Sequence, residues 1–244
     1  MIRLVTLDFW QTLFADTAHS LRSAHILRLE RIRETLAEAG RLHTAAEVVV
    51  ADAGAIEAFT AVWREHRDMS ADEQLRIFLG VLDPTLPAGL GATTLDRVAS
   101  AYQEPALTHR PEITPAAAEA VHEIRARGLA LGLISNTGRT PGRVVRRLLG
   151  DAGLLGCFDA LVFSDEAGVR KPAAAIFLRT LEQTGVDPAG AVHVGDDAVT
   201  DVAGARAVGM RAIHYVPDPS VPPAAADGVL RRFADLPALV ASLG

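Results

Sequence analysis

Four short apolar runs are each followed closely by side chains able to do chemistry. Asp8 follows IRLVTL (2–7), with Thr12 four residues further on. An aspartate at a strand end can serve as a nucleophile or a metal ligand, although the same spacing also suits a simple Asx-type turn. Ser135-Asn136-Thr137-Gly138 closes the run that begins at 129. Its hydroxyl and free backbone N–H groups could bind an anionic oxygen, or the segment could lead into a helix near Pro141 capped by Thr140. Lys171 stands just before Pro172, which suits the first position of a helix. A lysine at a helix N-terminus opposes the macrodipole, so a nearby anion would explain it. Gly195-Asp196-Asp197 and then Asp201 follow the run 191–194. Acids this close repel one another unless a cation or donors compensate, which points to a hard divalent ion such as Mg²⁺. The alternative is helix capping by Asp197 with Asp201 in the first turn. His193 lies inside its apolar run and reads as core.

Positioning these groups requires a regular scaffold. Runs 2–7, 129–135, 160–164, 191–194 and 212–216 read as strands, and helical patterns fall at 115–127, 141–149, 173–185 and 200–208. Such alternation predicts an α/β fold with a doubly wound parallel sheet, whose functional groups lie at the carboxyl ends of the strands. More than a hundred residues separate the first two runs, too many for an ordinary crossover. From 17 to 104 the pattern is helical, with an apolar face at Leu21, Ile26, Leu29, Ile32 and Leu36 and further faces in 46–66, 72–82 and 92–103. The chain therefore divides into a core, 1–16 with 105–244, and an all-helical insertion, 17–104. Residues 220–228 read as a loop, and 229–243 as a short strand or turn and a final helix.

Composition narrows the function classes. About half of the 244 residues are apolar, enough for a sizeable core. A net charge of −6 leaves no broad basic footprint, so no nucleic-acid partner is expected, and Arg143, Arg146 and Arg147 read as a solvated helix face. The stretch 45–63 is interrupted by Glu47, Asp52 and Glu57, so no membrane span is expected. The single Cys157 reads as a small buried residue and suits a reducing compartment. With no signal peptide legible at the start, the expectation is a soluble cytoplasmic protein with a small-molecule substrate. Oligomeric state is not legible.

The order of the clusters is more specific than any one of them. A strand-end Asp, a strand-end Ser, a Lys and a strand-end acid pair, with LISNT (133–137), FSDEAGVRKPAAAIF (163–177) and VHVGDDAVTDVAGARAVGM (192–210), resembles the haloacid dehalogenase-like (HAD) hydrolase superfamily. The resemblance implies a Rossmann-like core with a helical cap inserted between the first two motifs. It implies Asp8 as nucleophile, with Ser135 and Lys171 stabilising the transferring group. Thr12, Asn136 and Trp10 fall at substrate-contacting positions. Mg²⁺ would be held by Asp8, the main-chain carbonyl of Trp10 and Asp196, with Asp197 or Asp201 contributing directly or through water.

One residue departs from that pattern. Phosphatases of the superfamily carry D-x-D-x-T, whose second Asp protonates the leaving oxygen, and Trp10 stands there instead. Its indole cannot exchange a proton at neutral pH. The superfamily's dehalogenases place an aromatic residue at this position, but they typically replace the Gly-Asp retained here as Gly195-Asp196. Three readings follow. The chain is a Mg²⁺-dependent hydrolase of a small phosphorylated metabolite, with its proton carried by Asp16, His19 or the substrate; or a dehalogenase-like enzyme; or a catalytically silent binding fold. Phe14, Trp63 and Tyr102 read as core residues rather than pocket lining.

Overall fold

A computed structural model describes residues 1–244. Six parallel strands form the main sheet: β1 (Leu4–Leu7), β4 (Ala130–Ser135), β5 (Ala160–Phe163), β6 (Ala191–Gly195), β7 (Arg211–Tyr215) and β8 (Gly228–Leu230). Their order is β5-β4-β1-β6-β7-β8. The chain thus builds outward from β1 on one side and then on the other. The crevice at such a reversal is where doubly wound sheets place their ligands. Leu7 pairs with both Leu133 and Val194, so the ends of β1, β4 and β6 lie within two residues of one level.

The strands are buried because both sheet faces are covered, which is why they read as continuous apolar runs. A 26-residue cluster, including Leu131, Leu133, Val145, Leu149 and Phe163, lies between one face and helices α7 (Ala117–Ala126), α8 (Gly142–Asp151) and α12 (Leu236–Ser242). A 12-residue cluster centred on Ile176 and Phe177 of α10 (Ala174–Thr184) covers the other.

The insertion has its own core. Helices α1 (Ala18–Glu38), α2 (Ala45–Arg64), α3 (Ala71–Leu82) and α5 (Ala92–Gln103), with the short α4 (Leu86–Gly89), enclose a separate 14-residue cluster. The starts of α1, α2 and α3 are fixed by capping boxes on Thr17, Thr44 and Ser70. The apolar face anticipated for α1 holds only in its second half. Leu29, Ile32 and Leu36 are buried, whereas Leu21 and Ile26 are exposed, Leu21 on the wall of the cavity described below and Ile26 along the groove between α1 and α2.

The chain leaves the sheet body through β2 (Phe14–Ala15) and returns through β3 (Glu112–Ile113), which pair antiparallel. The short α6 (Pro105–Thr108) precedes the return. Polar ties also join the two parts: Arg139 to Asp52 at 2.6 Å, and Arg170 to Asp68 at 3.1 Å, with its guanidinium 4.3 Å from the Trp63 ring. Arg143 donates to Gln103 and Glu104, so this arginine anticipated as solvated links α8 to the insertion. Phe14 stacks on Phe9, and Tyr102 packs against Phe78 inside the insertion. No helix is long and apolar enough to cross a membrane.

Candidate active site

Asp8 follows the central strand directly, and its backbone N–H donates to the Val194 carbonyl at 2.9 Å. The chain then reverses. Gln11 adopts a left-handed backbone with φ of 57°, and the N–H of Phe14 donates to the Phe9 carbonyl. This turn buries Thr12, whose hydroxyl donates to Asp196 at 3.3 Å, and leaves Trp10 half-buried with its ring edge-on to Phe9. Thr12 therefore braces one acid against the next strand end.

Lys171 unites the cluster. Its ammonium donates to Asp8 Oδ1 at 2.5 Å and Asp201 Oδ1 at 2.6 Å, with all three side chains buried. The backbone of Lys171 is clamped by Asn136, which accepts from its N–H at 2.7 Å and donates to its carbonyl at 3.0 Å. Pro172 does not open the following helix; α10 begins at Ala174, and the intervening residues let Lys171 reach inward. Carboxylate oxygens of Asp8, Asp196 and Asp201 lie within 4.8 Å of one another. Hard oxygen donors so grouped can hold a divalent cation. Asp197 lies outside this triad. It is exposed and accepts from the N–H groups of Val199 and Thr200, capping a π-helical turn, Ala198–Ala203, where a regular helix was anticipated.

Ser135 ends β4 with its Oγ fully buried and without a hydrogen-bond partner. An unpaired buried hydroxyl costs about 1–3 kcal/mol, which an incoming oxygen could offset. Thr140 does not cap the next helix. Asp165, from the end of β5, accepts from the Gly142 N–H and from the Thr137 hydroxyl instead. Above the strand ends, a cavity of about 300 Å³ between sheet and insertion is lined by Trp10, Asp16, Arg28, His109 and Arg139 among others. His19 is exposed on α1 and does not line it.

Residues 2–209 match the family model for haloacid dehalogenase-like hydrolases. The chain belongs to that family. Among curated relatives, the chain is 38% identical over 122 residues to haloacid dehalogenase-like hydrolase domain-containing protein 3 of Xenopus laevis, covering 50% of the chain and 48% of the relative. It is 39% identical over 104 residues to a phosphoserine phosphatase of Thermus thermophilus, covering 43% and 41%. The matched region thus spans about half the length of these relatives or less. Among solved structures, the chain is similar over the whole of both chains to a 2-haloacid dehalogenase from Pseudomonas syringae pv. Tomato, with a TM-score of 0.73 and 27% identity.

The electrostatics of the acid cluster are unequal. Burial pushes the Asp8 carboxyl up to about 7, with Lys171 opposing and Asp201 reinforcing the rise. Burial acts on Asp201 in the same direction, but Lys171 and His193 outweigh it and hold that carboxyl well below the usual range. Asp196 is raised by burial and by Asp201, and Asp16 by burial. One cation therefore serves two acids unequally: Asp201 stays charged, whereas Asp8 competes for a proton near neutrality.

Two histidines read as core, or not singled out, also take part. His193 packs edge-on against Phe177, and its ring bonds Thr6 at one nitrogen and Asp201 at the other, 2.8 and 3.1 Å away. Burial lowers its pKa and keeps it neutral, so the Asp201 contact is a donation from Nε2–H. His214 accepts from the Ala224 N–H at Nδ1 and donates from Nε2 to the Asp196 carbonyl at 2.9 Å. Nothing in an apolar strand run distinguishes such a residue from a packed one.

Proposed function

We propose that the chain is a Mg²⁺-dependent hydrolase of a small phosphorylated molecule, with Asp8 as nucleophile and the helical insertion, 17–104, as its cap. The observation that carries this reading is Lys171 bridging Asp8 and Asp201 beside Asp196. In this reading the Asp8 carboxylate attacks phosphorus and the ester oxygen departs as an alcohol, leaving an aspartyl phosphate. Water then hydrolyses that intermediate and releases phosphate. Ser135 Oγ–H and Lys171 Nζ–H donate to the transferring oxygens, where fixed donors act most strongly because water is excluded. Asp8, Asp196 and the Trp10 carbonyl would hold the ion, with Asp201 chiefly anchoring Lys171. Bound Mg²⁺ supplies charge neutralisation between Asp8 and an incoming phosphate dianion.

Trp10 cannot protonate the leaving oxygen, so the proton comes from elsewhere. Asp16 lines the same cavity as Trp10, and burial raises its carboxyl pKa, the direction that favours a proton donor. His19 has no such placement.

A second reading, dehalogenation by Asp8, is favoured by the same tryptophan, since a halide leaves without a proton. Assays of phosphomonoesters and 2-haloacids with and without Mg²⁺ separate the two. Phosphate release that requires Mg²⁺ and is lost in Asp8→Asn supports the first reading. Halide release indifferent to EDTA supports the second, and ligand binding without turnover supports a silent binding fold.

A further inference from the structure

Two guanidiniums stand beside the cavity, and the buried carboxylate near them pairs with only one. Arg28, on α1, is only 5% exposed, yet no acid lies within ion-pair distance of it. Its one hydrogen bond is from Nε to the Tyr102 carbonyl at 2.6 Å, and the guanidinium stands 5.8 Å from the Tyr102 ring. A guanidinium has five N–H donors, and a buried charge is costly unless it is paired and hydrogen-bonded. The nearby buried acid, Asp52, is already taken by Arg139 at 2.6 Å, with His25 at 3.8 Å. Burial and the repulsion of Arg139 together press the Arg28 pKa down to about 10. The two arginines are therefore close enough to oppose each other.

Both line the cavity that also contains Trp10 and Thr140, five residues beyond Ser135. Its only acid is Asp16, half-buried on the wall with its carboxyl raised toward the neutral form. A cavity of about 300 Å³ suits a small metabolite. We infer that Arg28 and Arg139 form an anion subsite that binds a second negatively charged group of the substrate, carboxylate or phosphate, while the scissile group sits at Asp8, two residues before the cavity-lining Trp10. Arg28 contributes the uncompensated charge, and Arg139 delivers a guanidinium fixed by Asp52. The inference rests on the hydrolase reading for the scissile group but not for the subsite itself.

The test compares matched probes. Phosphoglycolate, propanediol bisphosphate and ethyl phosphate, which carry a carboxylate, a second phosphate and neither, are assayed for turnover with Mg²⁺. Phosphonoacetate, methylenediphosphonate and methylphosphonate are titrated calorimetrically as non-hydrolysed counterparts. The doubly anionic probes are expected to exceed the simple one by at least about tenfold in kcat/KM and in affinity. Whichever of carboxylate and phosphate leads identifies the group. The ratio should fall to near unity in Arg139→Gln and in Arg28→Gln, with Arg28→Lys as a milder variant if the buried site does not fold. Preferential binding without any turnover leaves the subsite standing and removes the hydrolase reading. Turnover or binding equal across the probes, or a preference that survives the substitutions, overturns the subsite.

Discussion

Gly195 and Asp201 are packed so closely that a side chain on the first would displace the second. A Cβ built on Gly195 would lie 2.5 Å from both Cβ and Oδ2 of Asp201. The glycine is therefore required sterically, because only a bare backbone lets the acid fold back onto the strand end. Gly195→Ala should move Asp201 away from Lys171. Overpacking of this kind costs about 1–3 kcal/mol in stability. The larger effect should be on turnover, a loss of about 10²-fold if the charged pair is misplaced by about 1 Å. Urea denaturation and steady-state kinetics on the same preparation check both.

Lys171→Met should expose how much the ammonium contributes. Without it Asp8 and Asp201 face each other with no cation between them. Breaking a buried ion pair from one side typically costs about 3–5 kcal/mol. Because a divalent ion can restore part of the missing positive charge, millimolar Mg²⁺ should stabilise this variant more than it stabilises the parent. Thermal melts with Mg²⁺ and with EDTA measure the difference; equal Mg²⁺ shifts in both proteins would count against the acid triad as a cation site.

The sheet and the main acids were legible for a physical reason. A parallel strand buried on both faces reads as a near-continuous apolar run, so Asp8, Ser135 and Asp196 stand out where their runs end. Lys171 was legible only through the order of the motifs, since its contacts with Asp8 and Asp201 span 163 and 30 residues of sequence. Other features left no local trace. His193 and His214 sit inside strands, and only cross-sheet and loop contacts show that one bonds Asp201 and the other the Asp196 carbonyl. Asp165 replaces Thr140 at the start of α8 because the ends of β4 and β5 are adjacent, a proximity the chain order does not reveal. Arg28 was hidden likewise. On a helical pattern an arginine reads as solvated, and its burial follows from how α1 packs on Tyr102 of α5.

Metal affinity should depend on pH through Asp8. Its carboxyl is pushed up to about 7, so below neutrality a proton competes with the cation for the same oxygens. Affinity for Mg²⁺ should therefore rise with pH, by about tenfold per unit below 7 if one proton is displaced, and level off above it. The raised Asp196 acts in the same direction and steepens the lower part of the curve. Asp8→Asn should flatten the dependence as well as abolish turnover. Calorimetric titrations of Mg²⁺ from pH 5.5 to 8.5 on both proteins provide the comparison; a parent affinity independent of pH would show that Asp8 is not a ligand.

Trp10→Asp asks whether the remaining machinery is complete. The indole makes an edge-on contact with Phe9 at 4.7 Å, so its loss should cost about 0.5–1.5 kcal/mol beyond the area exposed. A carboxyl at this place stands two residues beyond Asp8 and faces the cavity that Trp10 now lines. Restoring a positioned acid typically contributes about 10² to 10⁴ in rate. The gain should be largest for esters of poorly acidic alcohols, which need the proton most, and small for p-nitrophenyl phosphate, whose phenolate leaves unaided. Asp16→Asn completes the comparison. If Asp16 carries the proton in the parent, this change should slow alkyl ester hydrolysis about 10²-fold there and far less in the Trp10→Asp background, where the new acid substitutes for it. Equal losses in both backgrounds would assign Asp16 to holding the cavity wall instead of moving a proton.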